Sequence, residues 1–120
     1  MFEVEFYEDR KGRQPVKEVL LEMRYKASSS KDARIQYEKV LVYIRALETY
    51  GTRMGKPQVK HIEGRLWELR PLSHRILFFY WRENKFILLH HFVKKTQKTP
   101  VKEIDRARRK IFWKGMIENG

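Results

Sequence analysis

Apolar and polar residues change their spacing three times along the chain, and each change marks an element. Phe2, Val4 and Phe6 alternate with Glu3, Glu5 and Tyr7, the period of two of a strand with one buried face. The turn-forming run Asp9-Arg10-Lys11-Gly12-Arg13 ends it. Pro15 suits a first helical position, and Val16, Val19, Leu20 and Met23 follow at helical spacing, which predicts a short amphipathic helix to about Lys26. Ser28, Ser29 and Ser30 interrupt the pattern. One of them caps a longer helix from Lys31, with the stripe Ile35, Tyr37, Leu41, Ile44 and Leu47, which stops at Gly51. The two helices are expected to form an antiparallel hairpin.

Residues 52–64, with Gly55, Pro57 and Gly64, read as a loop or an irregular edge strand. The period of two then returns over Arg65–Leu72, His74–Arg82 and Phe86–Val93, separated by Pro71-Leu72-Ser73 and Glu83-Asn84-Lys85. These are expected to be three consecutive antiparallel strands. Ile76 to Trp81 is apolar on both faces, so that strand belongs in the middle of the sheet. Thr99 as cap and Pro100 in the first turn open a last helix, with Val101, Ile104, Ala107, Ile111 and Phe112 on one side and Arg106, Arg109 and Lys110 largely on the other. The order of strand, helical hairpin, three-stranded antiparallel meander and helix is an α+β class, and 120 residues are expected to form a single domain.

Composition narrows the function classes. A chain of this length and 42% hydrophobic content buries roughly two-thirds of its unfolded surface, which argues against disorder. The absence of cysteine excludes a disulfide scaffold and a cysteine-based zinc site. No apolar run reaches the ~20 residues of a membrane span and the N-terminus does not resemble a signal peptide, so a cytoplasmic protein is expected. Charge is unevenly placed: ten basic and nine acidic residues up to Tyr50, seventeen and six from Gly51 onward. A field of that sign favours a polyanion, nucleic acid or ribosome, as partner; a merely solvated basic surface is the plain alternative.

The chain lacks a phosphate loop, HExxH, GxSxG and a cysteine nucleophile. What it has is a concentration of cations on the sheet and at its exit: Arg65, Arg70, Arg75, Lys94, Lys95 and Lys98, with His74, His90 and His91. Strand parity puts Glu68 with Arg70 and Trp67 with Leu69, so Arg70 is expected to point away from the helices. Arg75 opens the next strand beside the turn and can emerge next to Arg70 across the hairpin. His90 and His91 must face opposite ways, one of them as a satisfied core histidine; without a third ligand they make a weak metal site, and no cofactor is expected. Lys94, Lys95 and Lys98 crowd the passage from strand to helix, where crowding lowers a lysine pKa and exposed amides attract phosphate. In-line attack by a ribose 2′-hydroxyl needs a proton acceptor, cations for the phosphorane charge and a donor for the 5′ oxygen. Arginines stabilise charge, and the lysines, secondarily His90 or His91, must exchange the protons.

The motifs Leu66-Trp67-Glu68-Leu69-Arg70-Pro71, His74-Arg75-Ile76-Leu77 and Leu88 through Pro100 resemble the phage-derived HigB toxins of the RelE/ParE superfamily, over nearly the whole chain. The resemblance implies a RelE-like fold and the toxin of a type II toxin–antitoxin pair, a metal-independent mRNA endoribonuclease acting in the ribosomal A site. It implies a HigA-like helix-turn-helix antitoxin as partner. Position by position, Arg75 matches the arginine that contacts the scissile phosphate, Lys95 or Lys94 the basic residue after the last strand that stabilises phosphate or protonates the leaving group, and Arg70 a basic position on the preceding strand. Lys98 joins that catalytic set, and Arg65, His90, His91, Arg106 and Arg109 are candidate RNA contacts. No tyrosine follows the last strand soon after, as one does in RelE. A ParE-like gyrase poison and a non-catalytic nucleic-acid-binding module are the alternatives.

Overall fold

The computed structural model describes residues 1–115. Its elements are β1 (Glu3–Phe6), α1 (Pro15–Ala27), α2 (Lys31–Tyr50), a 3-10 turn (Gly51–Met54), β2 (Val59–Glu63), β3 (Leu66–Leu69), β4 (His74–Trp81), β5 (Lys85–Val93) and α3 (Val101–Trp113). One five-stranded sheet runs in the order β1-β5-β4-β3-β2. Residues 59–63 are thus an edge strand, bulged between His61 and Glu63, rather than a loop. The first strand joins the other edge parallel to β5, with Glu3 opposite Lys85 and Phe6 opposite Leu88.

The sheet is buried on both faces because its central strands are apolar on both. Ile76 and Phe78 of β4, Phe86 and Leu88 of β5 and Leu69 of β3 pack with Val16, Leu20, Val40 and Leu47 of the hairpin. Leu77, Phe79, Ile87 and Leu89 pack on the opposite face with Ala107 and Ile111 of α3. Phe78, Leu77, Leu88 and Leu89 are fully buried, each contributing about 1.5–3 kcal/mol relative to exposure.

Local chemistry sets the boundaries. Pro15 opens α1, and the Ser30 hydroxyl accepts a 3.2 Å bond from the Ala33 amide to cap α2. The α2 stripe is as expected at Ile44 and Leu47, which pack in the core, but Val40 joins it and Ile35 is 51% exposed. At the other end, Thr99 is not the cap of α3. Pro100 holds that position without a side-chain bond, and the Thr99 hydroxyl reaches the sheet instead. Phe112 and Val101 of α3 face water rather than the core.

Pairing between β4 and β5 shifts: Leu77 lies opposite His90 but Phe78 opposite Leu88, which leaves Leu89 as an extra residue. Leu89 and His90 consequently both face α3, and His91 returns to the hairpin side. Strict alternation correctly gives the two histidines opposite faces, but it would have assigned His90 to the face of Leu88.

Gly51 ends α2 with φ 61° and ψ −151°, a region available essentially to glycine alone, and a Cβ there would sit 2.7 Å from the Phe2 ring. Gly64 has positive φ but open space around it. Gly51→Ala is expected to cost about 2 kcal/mol by urea unfolding, and Gly64→Ala distinctly less.

Candidate active site

At the end of the sheet where β3 stops and β4 starts, three side chains on the α3 face meet around one carboxylate. Glu68 is 1% exposed. Its Oε2 accepts a 2.7 Å bond from the Thr99 hydroxyl, and its Oε1 lies 3.4 Å from Arg70 Nε and 4.0 Å from Arg75 Nε. Arg70 Nε is nevertheless buried without a hydrogen bond, the one such side-chain atom among the described residues. The guanidinium is therefore near the carboxylate but not saturated by it.

Arg75 does not emerge at the edge as expected; it is buried, 6% exposed. Its Nη1 donates at 2.8 Å to the carbonyls of Leu72 and His74. Leu72 has φ 55°, a strained conformation for a leucine, and Arg75 braces that turn from below. Burial and the Arg70 charge both push the Arg75 pKa down, yet a guanidinium starts so high that it stays charged. Burial arises from the segment that follows β5. The Lys94 amide bonds Ser73 O at 2.8 Å, and residues 94–100 then fold over Glu68 and Arg75.

Lys94, Lys95, Lys98, Thr99 and Arg75 line the resulting pocket. It has room for about 10 Å³, space for one water, so a nucleotide can lie only across its rim. Lys95 and Lys98 are exposed there, and Lys94 is half-buried. The structure thus brings Arg75, Lys94, Lys95 and Lys98 together about the pocket, with Arg70 joined to them through Glu68. It does not bring Arg65, which lies before β3, at the opposite end of that strand from Arg70.

The histidines separate from this pocket. His90 Nε2 donates to the Glu103 carboxylate at 3.0 Å, and Arg106 reaches the same oxygen at 3.3 Å. His91 lies on the other face, 3.0 Å from His74 Nδ1. His74 Nε2 donates to Gln36 Oε1 at 2.7 Å, and Gln36 Nε2 to Asp32 at 2.8 Å. The Asp32 carboxylate fixes the direction of the whole chain, so His74 Nδ1 must accept from His91. Burial lowers all three histidine pKa values, that of His91 to about 4, with the neighbouring His74 and His90 adding to the effect. Arg106 and Arg109 are exposed along α3. Glu68, Thr99 and Gln36 were missed as site residues by sequence reasoning. The signal for Glu68 was a glutamate inside the apolar run Leu-Trp-Glu-Leu, on the parity of buried Leu66.

Two outcomes follow from these contacts. Arg75→Ala is expected to destabilise the fold by about 3 kcal/mol, because it removes the buried donor to the Leu72 and His74 carbonyls and one of the two cations beside Glu68; Lys95→Ala is expected to change the melting temperature little. A histidine that is neutral when folded takes up protons on unfolding below its ordinary pKa of about 6.5. Stability should therefore be full above that pH and fall as pH drops from 6.5 to 5, by up to about 1.4 kcal/mol per unit for each histidine. His91→Asn should flatten this slope in denaturation curves.

Among the described residues, no helix is long and apolar enough to cross a membrane. No curated protein matches the chain. The model of one protein family, described as phage derived protein Gp49-like (DUF891), matches residues 28–111, from the loop before α2 through the sheet to Ile111 of α3. That span includes every residue of the pocket, and the chain belongs to this Gp49-like family, a toxin-like family of RelE/HigB type.

Proposed function

We propose that this protein is the toxin of a type II toxin–antitoxin pair, a metal-independent endoribonuclease that cuts messenger RNA in the ribosomal A site and acts in the cytoplasm. The observation that carries the reading is the grouping of Arg75, Lys94, Lys95 and Lys98 about a pocket too small for anything but a surface-bound phosphate, with Arg70 beside Arg75 on the carboxylate of Glu68. Membership of a toxin-like family supports it.

The ribose 2′-oxygen attacks the adjacent phosphorus, the P–O5′ bond breaks, and a 2′,3′-cyclic phosphate and a free 5′-hydroxyl result. Arg70 and Arg75 supply fixed positive charge for the phosphorane, Arg75 from beneath and Arg70 from a side chain that stays 21% exposed. Lys94, Lys95 and Lys98 accept the 2′ proton and protonate the 5′ oxygen. Glu68 positions both arginines and touches no substrate. His90 and His91 are engaged with Glu103 and His74, which leaves them a supporting part. Arg65, Arg106 and Arg109 extend the RNA contact away from the pocket. Cations grip a phosphate anywhere, so the ribosome supplies the in-line geometry. The partner is a HigA-like helix-turn-helix antitoxin, whose acidic side chains meet the cations of α3 and of the helical hairpin.

The test compares one messenger, naked and on programmed ribosomes, with wild-type protein and with Lys95→Ala/Lys98→Ala. Cleavage confined to the ribosomal reaction and reduced by about 100-fold or more in the variant, with an unchanged melting temperature, is the expected result. Equal cutting of naked RNA would instead indicate a free-standing ribonuclease. Absence of cleavage with gyrase inhibited would indicate a ParE-like poison, and RNA binding without either activity a binding module.

A further inference from the structure

At the far end of α3 from the pocket, a second set of cations converges, and here it is interleaved with aromatic rings. The turn after β1 carries Arg10, Lys11 and Arg13; α3 and its end carry Lys110, Trp113 and Lys114. The Arg10 guanidinium stacks 3.9 Å from the centre of the Trp113 ring. Lys110 and Lys114 lie 5.7 and 5.9 Å over the ring of Tyr7. Between the two elements is a cavity of about 430 Å³ lined by Tyr7, Asp9, Arg10, Lys11, Arg13 and Trp113, within the size range of ligand pockets.

The turn is built rather than loose. Asp9 Oδ1 accepts from the amides of Lys11 and Arg13 at 2.9 and 2.8 Å, and the Asp9 amide donates to Arg13 O at 2.8 Å. Asp9 is thereby spent on the backbone, and Arg13 is paired with Glu18. Arg10, Lys11, Lys110 and Lys114 thus outnumber the acidic groups on this patch. Interaction with the helix dipole accounts for Lys110 and Lys114 at the end of α3, but not for cations from a separate turn gathering there. Trp113 remains 58% exposed with Arg10 on it, and Phe112 beside it is 65% exposed. Solvent-facing rings among cations are costly for solubility and useful for stacking.

The helix α3 links the two places, since it begins directly after the pocket-lining residues 94–100 and ends at Trp113. Arg106, Lys110 and Lys114 recur every four residues and so lie along one side of α3, about 6 Å apart. Burial and the Arg106 charge both disfavour the charge on Lys110, which a bound anion would relieve. A helix of this length spans about 20 Å.

We propose that Arg10, Lys11, Lys114 and Trp113 form a second RNA site, in which a single-stranded nucleotide stacks on the exposed Trp113 ring while its flanking phosphates meet the cations. This inference rests on the functional reading above, and it makes the basic side of α3 the track along which RNA runs from the pocket to an anchoring platform. Stacking on a ring surrounded by cations discriminates nucleic acid from an acidic protein segment, which has charge but no planar base.

The probe is a fluorescein-labelled 2′-O-methyl oligouridine, which cannot be cleaved, titrated with full-length protein and read by anisotropy across a range of salt. Trp113→Ala is expected to weaken binding roughly tenfold and Trp113→Phe to restore most of it. Lys11→Ala/Lys114→Ala is expected to lower the salt slope by about one to two. Affinity within twofold of wild type in both Trp113→Ala and the lysine variant overturns the proposal. So does a labelled polyglutamate that binds as tightly and loses as much with Trp113→Ala, which would assign the patch to a protein partner. The catalytic reading is judged separately by cleavage on ribosomes; binding that depends on Trp113 without any cleavage would sink that reading and leave this site standing.

Discussion

The buried carboxylate of Glu68 is the constraint on which the rest of the site depends. An ionised carboxylate at 1% exposure is tolerable only with partners, and here they come from three separate segments: Arg70 from the end of β3, Arg75 from the start of β4 and Thr99 from the approach to α3. Satisfying one charge therefore fixes where three chain segments meet. Arg75 in turn holds the carbonyl of the strained Leu72, and the Thr99 bond draws residues 94–100 across the sheet end, so that Lys94, Lys95 and Lys98 stand around the two arginines. The lysines face solvent and are positioned by groups that do not.

A sheet apolar on both faces makes this arrangement possible. With the helical hairpin on one side and α3 on the other, polar groups gather where the covering elements end. The extra residue in β5 assigns the histidines: His90 joins Glu103 and Arg106 on the α3 face, while His91 joins the chain of His74, Gln36 and Asp32 under the hairpin. The three histidines are neutral hydrogen-bonded parts of the fold at neutral pH, which leaves arginine and lysine to dominate the chemistry of the open face.

Elements with strong local signals were legible in the sequence. The alternation of Phe2, Val4 and Phe6, the apolar strand from Ile76 to Trp81 and the serine cap of α2 each gave the observed element within a residue or two. Long-range facts were not. Nothing local says that β1 pairs parallel with β5, and the bulge at Leu89 defeats any argument from parity beyond it. The helix stripes are right at Leu47, Ala107 and Ile111, but Ile35 and Phe112 were assigned inward because apolar character was taken for burial, and Val40 was left out. Thr99 looked like a cap because threonine before a helix usually is one; a buried carboxylate across the sheet competes for the same hydroxyl. Its place beside a turn suggests that Arg75 is exposed, and nothing local says that residues 94–100, 19 to 25 positions later, fold back over it.

Glu68 holds the lysine-bearing segment in place through Thr99. A double-mutant cycle with Glu68→Gln, Thr99→Val and their combination tests it directly, read by urea unfolding and by amide hydrogen exchange at Lys95 to Lys98. The two changes should be coupled by about 1 kcal/mol or more, and each should raise exchange in this segment before the rest of the sheet. Additive losses with exchange at Lys95 to Lys98 unaltered would contradict it.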